Sequence, residues 1–311
     1  MNDISFSFVM PAYKAQFLHK AIESILNQTY RHFELIVVDD KSPDNLKEIV
    51  DVFTDDRIVF KSNSKNIGGE DLIKNWNHCI RFAKNDYIIL ATDDDMYEPD
   101  FLSDATKLIE KYPNVDLIRS GVKKIDENEN ILDIEFPLKE YMTAREFVLF
   151  YAKGGTISCI SNYIFKRKAL VKAGGFIFLP RAHYSDDATA LALSINGVAC
   201  IATNDTSFRV SAINLSNRTD ISIVKDQLNA TEQYMTWYRK HIAILDTQHN
   251  DYFQRACYGG YKARYIGMIA NLTTKIPISK LFLTFRVILN NKHLFRKEKY
   301  NLLAYYLISK L

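Results

Sequence analysis

Tyr87-Ile88-Ile89-Leu90-Ala91-Thr92-Asp93-Asp94-Asp95 joins a short apolar run to three consecutive carboxylates. The run is too short for a helix and predicts a buried strand. Three adjacent aspartates repel one another, a cost tolerable in water, at a helix N-terminus or around a cation. Pro99 stands where a helix would open, so the acids fall in the turn between strand and helix, where open α/β sheets bind their ligands. A divalent metal is the occupant such a turn suggests. Solvated turn acids or helix caps would put aspartates there equally well, and this stretch by itself leaves the two readings level.

Upstream, Phe6 to Met10 is a β-rich apolar run ended by Pro11, and Phe17, Leu18, Ala21, Ile22, Ile25 and Leu26 then follow at helical spacing. Phe33 to Val38 predicts a second buried strand, and it too ends in acids, Asp39-Asp40. A helix over Leu46 to Phe53 and a strand over Arg57 to Phe60 complete a βαβαβ pattern, which implies a parallel sheet with right-handed crossovers. The carboxyl ends of such strands share one edge, so both acid clusters should face one crevice. Asn66-Ile67-Gly68-Gly69 breaks the chain before a helix over Leu72 to Ala83. The paired glycines lack the spacing of a phosphate-binding loop and read as a plain loop.

Downstream, the pattern predicts a helix from Pro99 to Lys111, a strand from Val115 to Val122 and a hairpin between Lys123 and Phe136. Thr143 and Glu146 form a capping box. A strand over Ile157 to Phe165 and a short helix stopped by Gly174-Gly175 follow. Ser185-Asp186-Asp187 opens an apolar-rich helix, and on the residues alone these acids read as its caps.

The 311 residues, 47% hydrophobic and 25% charged, have an ordinary globular composition. Cys79, Cys159, Cys200 and Cys257 are widely spaced, suggesting neither a zinc site nor a disulfide framework, and fit a reducing cytoplasm. No apolar run is long enough to span a bilayer and no signal peptide precedes the first strand, so the expected location is cytoplasmic. The net charge of +3 is uneven: from Lys262 onward ten Lys and Arg face the single acid Glu298, leaving an acidic body behind a basic tail. Within it, Leu281, Phe282, Phe285, Ile288 and Leu289 interleave with Lys280, Arg286 and Lys292. Such a segment either packs on the body or lies peripherally on the anionic inner face of a membrane.

Taken together, Phe8-Val9-Met10-Pro11-Ala12-Tyr13, Ser24 to Tyr30, Phe33 to Ser42, Asn66-Ile67-Gly68, the Asp93-Asp94-Asp95 block with Pro99, and Gly174-Gly175-Phe176 followed by Asp186-Asp187 resemble the inverting family 2 glycosyltransferases. The resemblance runs over about the first 215 residues, in the family's order. It implies a GT-A fold: α/β, a Rossmann-like, mostly parallel sheet flanked by helices. That divides the chain into a nucleotide-sugar-binding catalytic domain over 1–220 and a basic, aromatic-rich helical region over 221–311.

The resemblance also implies roles. Asp94 ligates Mn²⁺ or Mg²⁺ with Asp95 in support, and Asp93 lies near the ribose. Asp39 and Asp40 meet base and ribose, with Pro11 and Tyr13 around the base and Asn66 in the same nucleotide pocket. Lys74 sits near a phosphate-binding position, although a solvated helix face explains it as well. Asp187 matches the general base, with Asp186 as the fallback. Arg209 and Arg218 fall where such enzymes close on the diphosphate, although surface arginines are as good an account. The implied activity is metal-dependent, inverting transfer of a sugar from a nucleotide sugar, UDP-linked, to a glycan or lipid-linked acceptor in cell-surface polysaccharide synthesis. The rival is a non-catalytic nucleotide- or glycan-binding module tethered by the basic tail. A nucleotidyltransferase is disfavoured, because no glycine-rich signature loop lies near the N-terminus.

Overall fold

The computed structural model describes residues 4–211, 220–246 and 251–310. These form two compact units. The first takes the described residues up to Phe147, Thr156–Ile177 and Ser185–Ser211. The second takes Val148–Gly155, Phe178–Tyr184 and the described residues from Asp220 onward.

In the first unit β1 (Phe6–Ala12), β2 (Phe33–Asp39), β3 (Ile58–Ser62) and β4 (Tyr87–Leu90) run parallel in the order β3-β2-β1-β4. The helices α1 (Leu18–Leu26), α2 (Leu46–Asp51) and α3 (Leu72–Cys79) lie between successive strands in the chain. Beyond β4 the large sheet continues through β10 (Tyr163–Lys166), β6 (Leu117–Arg119), β11 (Val198–Cys200) and β9 (Tyr141–Met142), with β10 antiparallel to both neighbours. Phe6, Phe8 and Met10 of β1 join Leu18, Ala21, Ile22 and Ile25 of α1 and Phe101, Leu102 and Ala105 of α4 (Phe101–Lys111) in one core. The alternate residues Val9, Ile36, Val38 and Ile88 are buried as well. Strands covered on both faces have no polar side, which is why they read as near-continuous apolar runs, interrupted only where the Ser7 hydroxyl donates to Glu34 at 2.6 Å.

A second, four-stranded sheet has the order β5-β12-β7-β8, made of β5 (Met96–Tyr97), β12 (Thr206–Arg209), β7 (Val122–Ile125) and β8 (Ile131–Ile134). β7 and β8 are the expected hairpin, at an edge of this sheet. The single strand expected over Val115 to Val122 is divided, because the chain leaves the large sheet after Arg119 and enters the small one at Val122. Gly121 makes this passage possible: a Cβ there would meet Asn204 Oδ1 at 2.5 Å and the Thr203 carbonyl at 2.8 Å. The strand expected from Ile157 is likewise shorter, since Ile160–Asn162 forms a 3₁₀ turn before β10. Thr143 caps α5 (Ala144–Ala152) as its sequence requires, its N–H and hydroxyl donating to Glu146 Oε2 at 2.8 and 2.9 Å. The remaining helices of this unit are α6 (Arg167–Lys172) and α7 (Ser185–Leu193).

The second unit contains α8 (Ile221–Leu245), α9 (Asp251–Thr274), α10 (Leu281–Asn290) and α11 (Arg296–Ile308). Its core is built from tyrosines: Tyr151, Tyr234, Tyr238, Tyr261, Tyr265 and Tyr306 are all buried, with the rings of Tyr238 and Tyr261 4.6 Å apart. Burying tyrosine demands hydrogen-bond partners for the hydroxyls. Asn291 supplies one to Tyr265 at 2.5 Å, and the Ile276 carbonyl accepts from Tyr306 at 3.2 Å. No helix among the described residues is long and apolar enough to cross a membrane.

Candidate active site

The parallel register places the end of β1 beside the ends of β2 and β4, with Ala12 paired to Asp39 and Val9 to Leu90. The turns that follow are tied together by the acids. Asp93 Oδ2 accepts the backbone N–H groups of Tyr13 and Lys14 at 2.8 and 2.7 Å. The Lys14 ammonium returns to the same turn, 3.2 Å from Asp93 Oδ1 and in direct contact with Asp94 Oδ2. Burial alone would lower the Lys14 pKa, but Asp93 and Asp94 outweigh it and hold the ammonium above its ordinary value. Burial pushes the Asp93 carboxyl up against the pull of Lys14, and the neighbouring Asp94 adds to the rise.

Asp95 turns inward. Its Oδ1 accepts the Arg209 N–H at 2.9 Å, and its Oδ2 accepts the Ser161 hydroxyl delivered by the 3₁₀ turn. Burial, and then Asp94, push Asp95 up to about 7. Arg209 is fully buried. Its guanidinium donates to the carbonyls of Asp94 (2.9 Å), Asp126 (3.1 Å) and Glu127 (3.3 Å), lies 3.6 Å from Glu129, and stacks 4.4 Å over the Phe17 ring. The residue expected at a diphosphate is therefore the clamp that fixes the aspartate turn from beneath.

The second acid pair divides its work. Asp39 is half-buried and accepts from the Ser42 N–H at 2.8 Å and the Ser62 hydroxyl at 3.0 Å. Ser42 in turn donates to the Tyr13 carbonyl at 2.7 Å, so the β1 and β2 turns are one hydrogen-bonded structure. Asp40 is buried and serves the following loop: Oδ1 accepts from Asn63 (2.7 Å) and the Ile67 N–H (2.9 Å), and Oδ2 from the Gly68 N–H (2.7 Å). Asn66 closes that loop by accepting from the Gly69 N–H at 2.6 Å. Beside it opens a cleft of about 520 Å³ bordered by Ser62, Asn63, Ile67 and Phe82. Tyr13 is 43% exposed and Pro11 partly buried at the mouth of the β1 turn. Lys74 is exposed on α3, and Arg218 lies outside the described residues.

Asp186 and Asp187 occupy the first turn of α7. The segment before them is anchored by Asn77 of α3, which accepts from the Phe176 N–H at 2.7 Å and donates to its carbonyl at 3.1 Å. Gly175 has φ of 91°, and a Cβ there would collide with Asn77 Oδ1 at 2.2 Å, so glycine is required twice over. Thr189 ties the turn back, accepting from the Ile177 N–H at 2.9 Å. Burial, and then Asp187, push Asp186 up to about 8. A helix N-terminus ordinarily lowers a carboxylate; here desolvation and the like charge prevail. The Cys159 thiol is pushed well up by burial and then by both Asp95 and Asp186. Asp186 of α7 and Asp95 after β4 thus both raise the Cys159 thiol although they stand about 90 residues apart.

Asp39, Asp93, Asp94 and Asp95 are therefore linked through Ser42, Tyr13, Lys14 and Arg209. Lys14, Ser161 and Asn77 were not foreseen from the sequence, because their partners are distant in the chain and no local pattern marks them. Among the described residues no group of three or more His, Cys, Asp or Glu is arranged to hold a metal ion.

The model of the family described as "Glycosyl transferase family 2" matches residues 7–173, more than half of the chain. The chain belongs to family 2. Its similarity to curated members includes 37% identity over 141 residues with an uncharacterized glycosyltransferase of Methanocaldococcus jannaschii, covering 43% of this chain and 47% of that one. The amylovoran biosynthesis glycosyltransferase AmsB of Erwinia amylovora is 28% identical over 190 residues, covering 53% and 61%. The chain spans about half the length of the curated relatives it matches. Among solved structures, S. aureus TarS in complex with UDP superposes with a TM-score of 0.64 at 15% identity, covering 99% of this chain and 90% of that one. The mannosyltransferase PcManGT of Pyrobaculum calidifontis, in complex with GDP-Man and Mn²⁺, gives 0.53 at 16%, covering 99% and 88%. At such identities the likeness establishes the shared GT-A fold of this family 2 chain.

Proposed function

We propose that the chain is a metal-dependent inverting glycosyltransferase that moves one sugar from a UDP-linked donor to a glycan or lipid-linked acceptor, in the synthesis of a cell-surface polysaccharide. The observation that carries this reading is the joining of the acids after β2 and β4 into one hydrogen-bonded structure through Ser42, Tyr13 and Lys14. Family 2 membership supports the reaction class. The donor assignment draws on the UDP-bound neighbour, and the acceptor on the relative named for amylovoran synthesis.

The donor set fits a divalent cation. Asp93 and Asp94 already converge on a cation, the Lys14 ammonium. Their hard oxygen atoms suit Mg²⁺ or Mn²⁺, ions commonly held by one or two carboxylates with substrate phosphates completing the shell. Asp94 would hold the ion, with Asp95 fixing the turn. When bound, such an ion supplies positive charge to the diphosphate as negative charge develops there.

The chain's own groups do the rest. Asp39 and Tyr13 border the base and ribose, and Asp40, through Asn63, Ile67 and Gly68, holds the loop beside them. Asp187 takes the proton of the acceptor hydroxyl as its oxygen attacks the anomeric carbon from the face opposite the diphosphate. The bond from that carbon to the phosphate oxygen breaks, and the electron pair leaves with the nucleotide. Placing such a base contributes about 10²–10⁴ in rate. Burial, and then the neighbouring Asp187, push the Asp186 carboxyl up, so it does not compete with Asp187 for the role of base.

A panel of nucleotide sugars assayed for slow donor hydrolysis with Mn²⁺ or Mg²⁺ tests the reading and names the donor. Metal-dependent release of one nucleoside diphosphate is expected. Nucleotide binding with no hydrolysis or transfer for any donor would leave a binding module instead.

A further inference from the structure

Helix α10 carries far more apolar surface than its packing uses. Seven of its ten residues are Leu, Phe, Val or Ile, yet only Thr284 and Ile288 are buried. Phe282 is 90% exposed. Ile278 just before the helix and Leu289 near its end are also exposed, and Phe282, Arg286 and Leu289 fall on one side at i, i+4 and i+7. The pattern continues at Phe295, just before the next helix, and within it at Tyr300, Tyr305 and Ile308, all exposed. Isolated exposed apolar residues are ordinary, but a run of this kind marks an interaction surface.

The charges identify its partner. From Lys275 to Lys297 there are six Lys and Arg and no acid. The first acid, Glu298, is already paired with Lys262 at 3.1 Å. Lys280, Arg286 and Lys292 are exposed and flank the apolar residues. Long cationic side chains beside exposed Phe, Leu and Tyr on a solvent-facing helix can keep their charges among headgroups while the rings enter the acyl boundary. An acid-free patch attracts anionic lipid in proportion to its Lys and Arg count.

We infer that the α10 face, led by Phe282, Leu289, Lys280, Arg286 and Lys292, docks the protein on an anionic phospholipid bilayer. The inference stands apart from the sugar-transfer reading, since none of these residues belongs to the proposed catalytic machinery and lipid binding can be read without turnover.

The test is co-sedimentation of the full chain with vesicles of phosphatidylcholine alone or mixed equally with phosphatidylglycerol. Binding to the mixed vesicles at low salt and release at high salt are expected, with little binding to phosphatidylcholine. Phe282→Ser should weaken binding about tenfold, and combined Lys280→Gln, Arg286→Gln and Lys292→Gln about a hundredfold. Because these side chains are exposed, thermal melting and nucleotide binding should match wild type, separating lost docking from lost folding. Absence of binding to the mixed vesicles, or binding unchanged in both variants, overturns the inference, as does a patch that captures only acidic protein.

Discussion

Lys14 closes on Asp93 twice, through its backbone N–H at 2.7 Å and its ammonium at 3.2 Å. One residue thus fixes the turn after β1 against the turn after β4 and sets a single positive charge against the two acids proposed for nucleotide and metal. Replacing the ammonium by an apolar chain of similar length separates these jobs. Lys14→Met should cost about 2 kcal/mol of stability without metal, because two neighbouring carboxylates lose their cation. It should also bind Mn²⁺ about tenfold more tightly, since the ammonium no longer competes. Calorimetric titration with Mn²⁺ and melting with and without the ion check both; weaker Mn²⁺ binding in the variant would show that Lys14 assists the ion.

Gly68 donates to Asp40 Oδ2 at 2.7 Å, and an added Cβ would stand 2.9 Å from that same atom. The carboxylate cannot yield freely, because Asn63 and Ile67 hold its other oxygen. Gly68→Ala should therefore destabilise by about 1–3 kcal/mol and weaken nucleotide binding. Urea denaturation and a nucleotide titration measure the two; wild-type values in both would mean that the loop has no part in the pocket.

Asp186 makes stability depend on pH with a definite sign. Its folded pKa, raised to about 8 by burial and Asp187, exceeds the unfolded carboxylate value near 4. Between those values the folded state holds a proton that the unfolded state has released, so stability falls as pH rises through this window. Asp186→Asn removes the effect. The variant should gain about 1–3 kcal/mol at pH 8, with the gain vanishing toward pH 4. Melting curves across that range decide it, and parallel curves for the two proteins would contradict the assignment.

Ser161→Ala tests the support of the triplet. The Ser161 hydroxyl and the Arg209 N–H both donate to the buried Asp95 carboxyl. Losing one should cost about 1–3 kcal/mol and lower Mn²⁺ affinity by disturbing Asp94 beside it. Unchanged stability and affinity would detach Asp95 from the site.

What the sequence revealed followed the reach of local pattern. The apolar runs ending in Asp39 and Asp93, the helical spacing of Leu18, Ala21, Ile22 and Ile25, and the Thr143 cap are all set within a few residues, and each was legible. The split of the expected strand at Gly121 was not, because its cause is the Asn204 side chain more than eighty residues away. Arg209 illustrates the same limit: an arginine far along the chain from its partners reads as a surface cation until the fold brings Phe17, Asp94 and Asp126 around it. Val148–Gly155 and Phe178–Tyr184 join the helical unit for reasons of long-range packing that no periodicity records.

The central claim is that Asp187 acts as the base in a site assembled by the other acids. The most direct measurement is transfer by Asp187→Asn, set beside its binding of nucleotide and Mn²⁺. The account predicts a fall in turnover of at least about 10²-fold with both affinities within about twofold of wild type. Turnover at the wild-type rate would contradict it.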